Sequence, residues 1–197
     1  MDLAAPPPPV IGRCHSATKQ WDGQWRLIAF SIPEARRSDR DALRAALTRL
    51  SAAALTPGLF ASPHDLTTAL RAEISPRRLD DDLTLATTTS VTHHGTAIER
   101  LTTQLWPLDT IKTRYRTLDR VITHEEKRLS RDAEPAVRLA ARITVLTALT
   151  AALLPDPLLP TELLPAGWPG PDVRERVRRL EPHLTSTAPP PRSAARS

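Results

Sequence analysis

Three observations predict an α+β fold followed by an all-helical region. First, short apolar runs rich in strand formers alternate with helical periodicities up to about residue 94. Second, from Thr96 onward only helical spacing remains, broken by prolines. Third, the 197 residues are 40% hydrophobic and 25% charged, a globular composition of a length that allows one domain or two small ones. Aromatic residues are only 4%, so the core is expected to rest on Leu, Ala, Ile and Val. The 20 prolines gather at the ends and joints.

The elements follow in order. Residues 1–20, with Pro6 to Pro9, read as an unstructured proline-rich lead. Gln24 to Ile32 is a strand stopped by Pro33. Ser38 to Leu50 is a helix, with Ser38 expected as its cap and Leu43, Ala46, Leu47 and Leu50 forming one apolar face. Pro57-Gly58 turns a hairpin or bent strand between Leu55 and Ser62. Pro63 is expected to open a second helix through Leu66, Leu70 and Ile74. Asp80 to Asp82 is a loop, and Leu83 to Val91 is a final Thr-rich strand. The order strand, helix, hairpin, helix, strand fits a ferredoxin-like α/β sandwich over 21–94.

The helical domain is placed at 95–185. A short helix is expected over Thr96 to Leu105, and a long one from Pro107 to about Arg131. Another is expected from Ala136 to Leu153, with Val137, Ala140, Ala141, Leu146 and Leu149 available for burial. Pro155, Pro157, Pro160 and Pro165 then prevent a single long helix, and Asp172 to Leu180 forms a last, Arg-rich one. Residues 186–197 read as a disordered tail. No internal repeat is evident.

Charge and motifs exclude several classes. The net charge is +5 and the pI about 10.3. Only Lys19, Lys112 and Lys127 are lysines, an arginine bias that fits codon usage and solvated faces as well as a polyanion partner. No apolar run reaches the ~18–20 residues of a membrane span, the longest candidate being Ile143 to Leu154. The first residues lack the pattern of a secretory signal. A lone Cys14 forms no internal disulfide. These points lead to an expectation of a cytoplasmic protein. No Gly-rich phosphate loop, nucleophile elbow or metal motif is present. His93-His94 are adjacent on an expected strand, so they should point to opposite faces, and His124 lacks a second His at helical spacing.

One set of motifs is specific. Trp21-Asp-Gly-Gln-Trp25, continuing to Glu34, with Arg36-Arg37 and Arg40 to Arg44, resembles the start of the middle domain of the PaaX family of bacterial transcriptional repressors. Ser62-Pro63 sits where that family has its Ser-Pro. Leu105-Trp106-Pro-Leu-Asp109 with Tyr115-Arg116 is similar to the entry into the family's C-terminal domain. The closest likeness is Asp156-Pro157-Leu-Leu-Pro160-Thr-Glu-Leu163-Leu164-Pro165 with Trp168-Pro169-Gly170. The sequence departs from the family at Ser51-Ala-Ala-Ala54, where a Gly-Phe-Gly turn is usual, and at Gly167, where an acidic residue is common.

The resemblance implies a regulator in three parts: a winged helix that reads operator DNA, a ferredoxin-like middle domain similar to small CRISPR-associated endoribonucleases, and a helical domain for dimerisation and effector response. Only 20 residues precede Trp21, too few for a winged helix, so operator DNA is expected as a partner only if such a domain is supplied upstream. The related nucleases carry an aspartate near the end of the first strand. Ser31 or a neighbour, Phe30 or Ile32, stands there, so no enzyme activity and no metal are expected. No cofactor is expected either. The implied effector is phenylacetyl-CoA or another acyl-CoA, with Arg114 and Arg116 as candidate phosphate ligands and Trp106 and Trp168 as candidate walls of an acyl pocket. A homodimer without membrane attachment is the expected assembly. The alternative is a stand-alone dimerisation or ligand-binding module with no DNA contact.

Overall fold

A computed structural model describes residues 20–129 and 133–185. Cys14 and both termini lie outside the described residues, as does the short stretch 130–132. The chain divides into two units. One takes the described residues through Leu108 together with Asp156–Pro165, and the other takes Asp109–Pro155 and the described residues from Ala166 onward.

The first unit is a βαββαβ arrangement. Strands β1 (Trp25–Phe30), β2 (Ala53–Thr56), β3 (Leu59–Ser62) and β4 (Leu83–Thr88) form one antiparallel sheet in the order β2-β3-β1-β4. Helices α1 (Arg37–Arg49) and α2 (Thr67–Ile74) connect them. This is the ferredoxin-like topology expected from the element order. Register follows the pleat: Ile28 lies opposite Phe60 on one side and Leu85 on the other. Ile28 and Phe60 meet Leu43 and Leu47 of α1 and Leu70 and Ile74 of α2 in one buried cluster. Side chains from two strands and two helices thus converge on a single core.

Local chemistry shifts several boundaries. Pro33 starts a 3₁₀ turn over Glu34–Arg36 that runs straight into α1, so Ser38 lies inside the helix and does not cap it. Arg36 instead anchors this entry, bonding Asp39 (3.0 Å) and Asp82 (2.9 Å). The second helix starts at Thr67, later than Pro63. Side chains intercept the backbone first: Ser62 Oγ accepts from the His64 amide and Asp65 Oδ1 from the Thr67 amide. Ser51 sits at φ +65 just past α1. A non-Gly residue there carries roughly 1 kcal/mol or more of backbone strain.

Beyond β4 the expected short helix over 96–105 is largely replaced. β5 (Thr92–His93) and β6 (Thr96–Ala97) form a small hairpin. A 3₁₀ turn (Ile98–Arg100) and the single-turn α3 (Thr102–Leu105) follow. His94 and Gly95 both take positive φ at the hairpin tip. His94 is therefore in a turn rather than a strand, and its ring lies 4.0 Å from that of His93 instead of on the opposite face.

The second unit is built from α4 (Leu108–Arg128), α5 (Pro135–Leu153) and α6 (Gly170–Thr185). Ile111, Tyr115, Leu118 and Ile122 form the buried stripe of α4. On α5, Ala141 and Leu149 are buried as expected, with Val145 and Ala152, whereas Ala140 is exposed and Val137 and Leu146 only half-buried. Taken whole, α5 is long and apolar enough to cross a membrane, against the expectation that no run reached that length; only 28% of its apolar window is buried.

Candidate functional site

The proline-rich string is a strap within the first unit. Buried Asp156 accepts the Leu158 amide on Oδ1 (2.8 Å), and Leu158 takes φ +52. That turn presents the Pro157 carbonyl to His64, whose Nε2 donates to it at 2.9 Å. Leu159 and Leu163 then insert into the unit, Leu163 at the end of a 3₁₀ turn over Thr161–Leu163. Burial holds the His64 pKa below its ordinary value; the Pro157 carbonyl raises it, nearby Arg26 lowers it and Asp156 raises it. Burial favours the neutral ring, and the proton it carries on Nε2 makes the bond to the Pro157 carbonyl.

Trp168-Pro169-Gly170 belongs to the helical unit. The Trp168 ring meets Tyr115 edge-on, with centroids 6.3 Å apart. Arg174 is buried on α6, donates Nη1 to the Tyr115 hydroxyl at 2.7 Å and lies 5.7 Å from the centre of that ring. Glycine at 170 is a packing requirement: a Cβ there would stand 2.7 Å from Trp168 Nε1 and 3.0 Å from Arg174 Nη1. The motif is thus a close-packed tryptophan, tyrosine and arginine knot at the start of α6.

At the other end of the chain, Trp25 is fully buried and donates Nε1 to Glu99 at 2.8 Å, with Trp21 packed edge-on at 5.5 Å. Trp21 in turn donates Nε1 to the Gln24 carbonyl. Asp22 is paired with Arg26, which together with the Gln24 amide holds its carboxyl down at about 2.

The four residues singled out for a ligand fall in different units, Trp106 in the first and Arg114, Arg116 and Trp168 in the second. Trp106 is buried in the first unit, donating Nε1 to the Ser51 carbonyl at 3.0 Å. Arg114 donates to the Ala151 carbonyl near the C-terminal end of α5 (2.8 Å). Arg116 is exposed on another side of α4, and Trp168 is packed on Tyr115. Asp119 and Glu126 do not pair along α4; both bind Arg176 of α6, Glu126 at 2.7 Å.

A groove of about 310 Å³ opens between α4 and α5, lined by Thr117, Arg120, Val121, His124, Glu125 and Thr144. Glu125 is buried and bound by Arg128 at 3.1 Å. Arg120 bonds Thr117 Oγ1 (3.1 Å) and makes no ion pair among the described residues. Sequence reasoning missed Arg120 and His124 as groove residues, and Arg174 as a buried one. Arg174 had a signal: it falls three before Val177, on the apolar side of α6. Among the described residues no three His, Cys, Asp or Glu side chains gather to hold a metal ion.

A ferredoxin-like sheet unit and a separate helical unit define the architecture of the described residues. Comparison with known families then specifies it. Residues 18–99 match the PaaX protein central Cas2-like domain, and residues 106–190 match the PaaX-like protein C-terminal domain. The chain belongs to the PaaX family. Among solved structures it is similar to the uncharacterized protein Rv0674 from Mycobacterium tuberculosis, at 21% identity and a TM-score of 0.54. That match covers 89% of this chain and 66% of the other, so the chain spans a little under two thirds of that relative. At this identity the likeness concerns the fold. None of the curated proteins matches.

Proposed function

We propose that this protein is a PaaX-type transcription regulator, a repressor of a catabolic operon that responds to a CoA thioester and performs no catalysis of its own. The observation that carries the reading is the occurrence, in order, of both family domains over residues 18–190. Operator DNA is read by a winged helix supplied with these domains, and the helical unit receives the effector. The α4–α5 groove supports that second role. It combines threonine hydroxyls and Val121 with Arg120 and His124, a mixture suited to an anionic ligand with an apolar part. Exposed Arg116 lies one turn before Arg120 and extends the cationic side. Trp168 and Trp106 act in this reading as packing anchors. The protein acts in the cytoplasm, where CoA thioesters are made.

Calorimetry with phenylacetyl-CoA and a short series of other acyl-CoAs tests the effector. Binding with a thermal shift is expected for at least one, weakened at least tenfold by Arg120→Ala and little changed by Arg114→Ala. A ligand bound only to the folded state stabilises it by about 2.7 kcal/mol at a hundredfold excess over Kd. No heat with any thioester removes the effector. Sequence-independent, salt-sensitive DNA binding by these two domains is expected in gel shifts; tight operator-specific binding would place the DNA reader within them.

A further inference from the structure

The buried stripe of α4 runs through Ile111, Tyr115, Leu118 and Ile122, in steps of four and three residues. The next step of that series is Glu125, and at 2% exposure it is buried like the others. An apolar side chain would fill the position at no electrostatic cost. A carboxylate there gives up its water and needs donors in exchange. Among the described residues it has one, the Nη1 of Arg128, shared between its two oxygens at 3.2 and 3.1 Å. An ionised carboxylate has about four acceptor sites. Glu125 therefore keeps acceptor capacity where it lines the groove between α4 and α5. Thr144 of α5 lines the same groove. Its hydroxyl already donates to the Ala140 carbonyl at 3.0 Å, which leaves it an acceptor toward a ligand. Donors stand on the exposed rim. Arg120 commits Nε to the Arg116 carbonyl and Nη2 to Thr117 Oγ1, and its Nη1 bonds nothing among the described residues. The groove thus combines a buried acceptor with a donor rim.

We propose that this groove holds the amide-bearing pantetheine arm of the effector, with Glu125 and Thr144 accepting its N–H groups and Arg120 donating to its carbonyls. The assignment rests on the reading of the groove as the effector site, and it names the part of a CoA thioester that enters. Three features select the arm. The volume of about 310 Å³ is at the small end of ligand pockets, which span roughly 300–1,000 Å³, so it takes a part of the thioester rather than the whole. The nucleotide end does not fit the floor, because its phosphates would stand beside a buried carboxylate. The acyl end does not fit it either, because a phenyl ring or a short alkyl chain has no N–H and would leave Glu125 shut off from water without a new donor. Between those ends the arm carries secondary amides, each with one donor and one acceptor, which is the pairing that floor and rim present. The phosphates are left to the exposed side, where Arg116 precedes Arg120 by one turn. Glu125 is thus a specificity residue: a ligand without the N–H leaves its acceptor sites unmet.

Calorimetry on the full 197-residue chain tests the assignment. The probes are the tightest-binding acyl-CoA, phenylacetyl-CoA in the first instance, the matching acyl-pantetheine, and an acyl-CoA whose two amide nitrogens are replaced by ester oxygens. Glu125→Leu should weaken the acyl-CoA and the acyl-pantetheine by the same factor, about tenfold or more, with helical circular dichroism unchanged. Glu125→Gln, which keeps an acceptor oxygen, should weaken them less. The ester analogue should bind the wild type about tenfold more weakly than its parent, and Glu125→Leu should hardly distinguish the two, since losses in contact do not add. No heat from any acyl-CoA removes the effector reading and this assignment with it. An acyl-CoA that binds Glu125→Leu within twofold of the wild type, or an ester analogue that loses the same factor on both proteins, leaves the effector and overturns the place of its arm. Should Glu125→Leu fail to fold, the ester analogue on the wild type decides: undiminished binding overturns the assignment and a tenfold loss supports it.

Discussion

The sheet unit and the helical unit treat the same kind of residue in opposite ways. In the sheet unit Ile28 is 2% exposed and closed over by α1, α2 and the neighbouring strands. In the helical unit Ile143, with the same side chain, is 58% exposed. Both stand in apolar runs of similar appearance. A strand in a sheet packed by two helices has a covered face by construction. A helix among three is covered only on the side its neighbours reach, so a second apolar face is left for something else. Apolar composition fixes how much surface seeks cover, and the arrangement of neighbours fixes how much finds it.

The largest effect that would break or confirm this contrast is Ile28→Ala. Deleting that buried side chain should cost about 2–5 kcal/mol in chemical denaturation. A loss below 1 kcal/mol would mean that the sheet core is loosely packed. Gly170→Ala tests the tightest point of the helical unit. The added Cβ meets Trp168 and Arg174 at sub-contact distance, and overpacking of this kind costs about 1–3 kcal/mol. A neutral result would show that the Trp168 ring swings away freely.

Burial of His64 gives the sheet unit a pH dependence. The folded chain keeps His64 neutral below the ordinary value of 6.5, whereas the unfolded chain takes up a proton there. The stabilisation is therefore complete above about 6.5 and declines as pH falls below it. Thermal melts between pH 7 and pH 5 should show a steeper loss for the wild type than for His64→Gln, whose amide can still donate to the Pro157 carbonyl. Parallel slopes would take His64 out of the strap's energetics. The smallest effect is expected for Ile143→Ala at concentrations where the chain is monomeric: within about 0.5 kcal/mol, as for other exposed sites. A cost near that of Ile28→Ala would place Ile143 in a core and erase the contrast.

Much of this was legible in the residues. The short apolar run of strand formers in Gln24 to Ile32, the Pro57-Gly58 turn and the i, i+3, i+4 spacing of Leu43, Ala46 and Leu47 each specify a local element, because side-chain pattern and turn chemistry act over a few residues. The two matching stretches around Trp25 and Trp168 were legible as motifs for the same reason: their residues are sequence neighbours. What the motifs do was not. Trp25 meets Glu99, Trp106 meets Ser51, His64 meets Pro157 and Tyr115 meets Arg174 across gaps of 55 to 93 residues. Nor did spacing along the helix show that the Arg114 guanidinium meets the carbonyl of Ala151, 37 residues away. The hairpin at His93-His94 escaped a reading of adjacent strand residues because one backbone angle at His94 reverses the chain.

By itself, then, the sequence determined the order of strands and helices as far as β4, the family, and the amount of apolar surface on each element, since these depend on composition and on spacing along the chain. The tertiary structure alone decided which apolar face each helix buries, which polar groups share a hydrogen bond, and that the string from Asp156 to Pro165 groups with the sheet unit although the chain enters and leaves it through the helical one. Those outcomes depend on which distant segments come within contact distance, and no local periodicity encodes that.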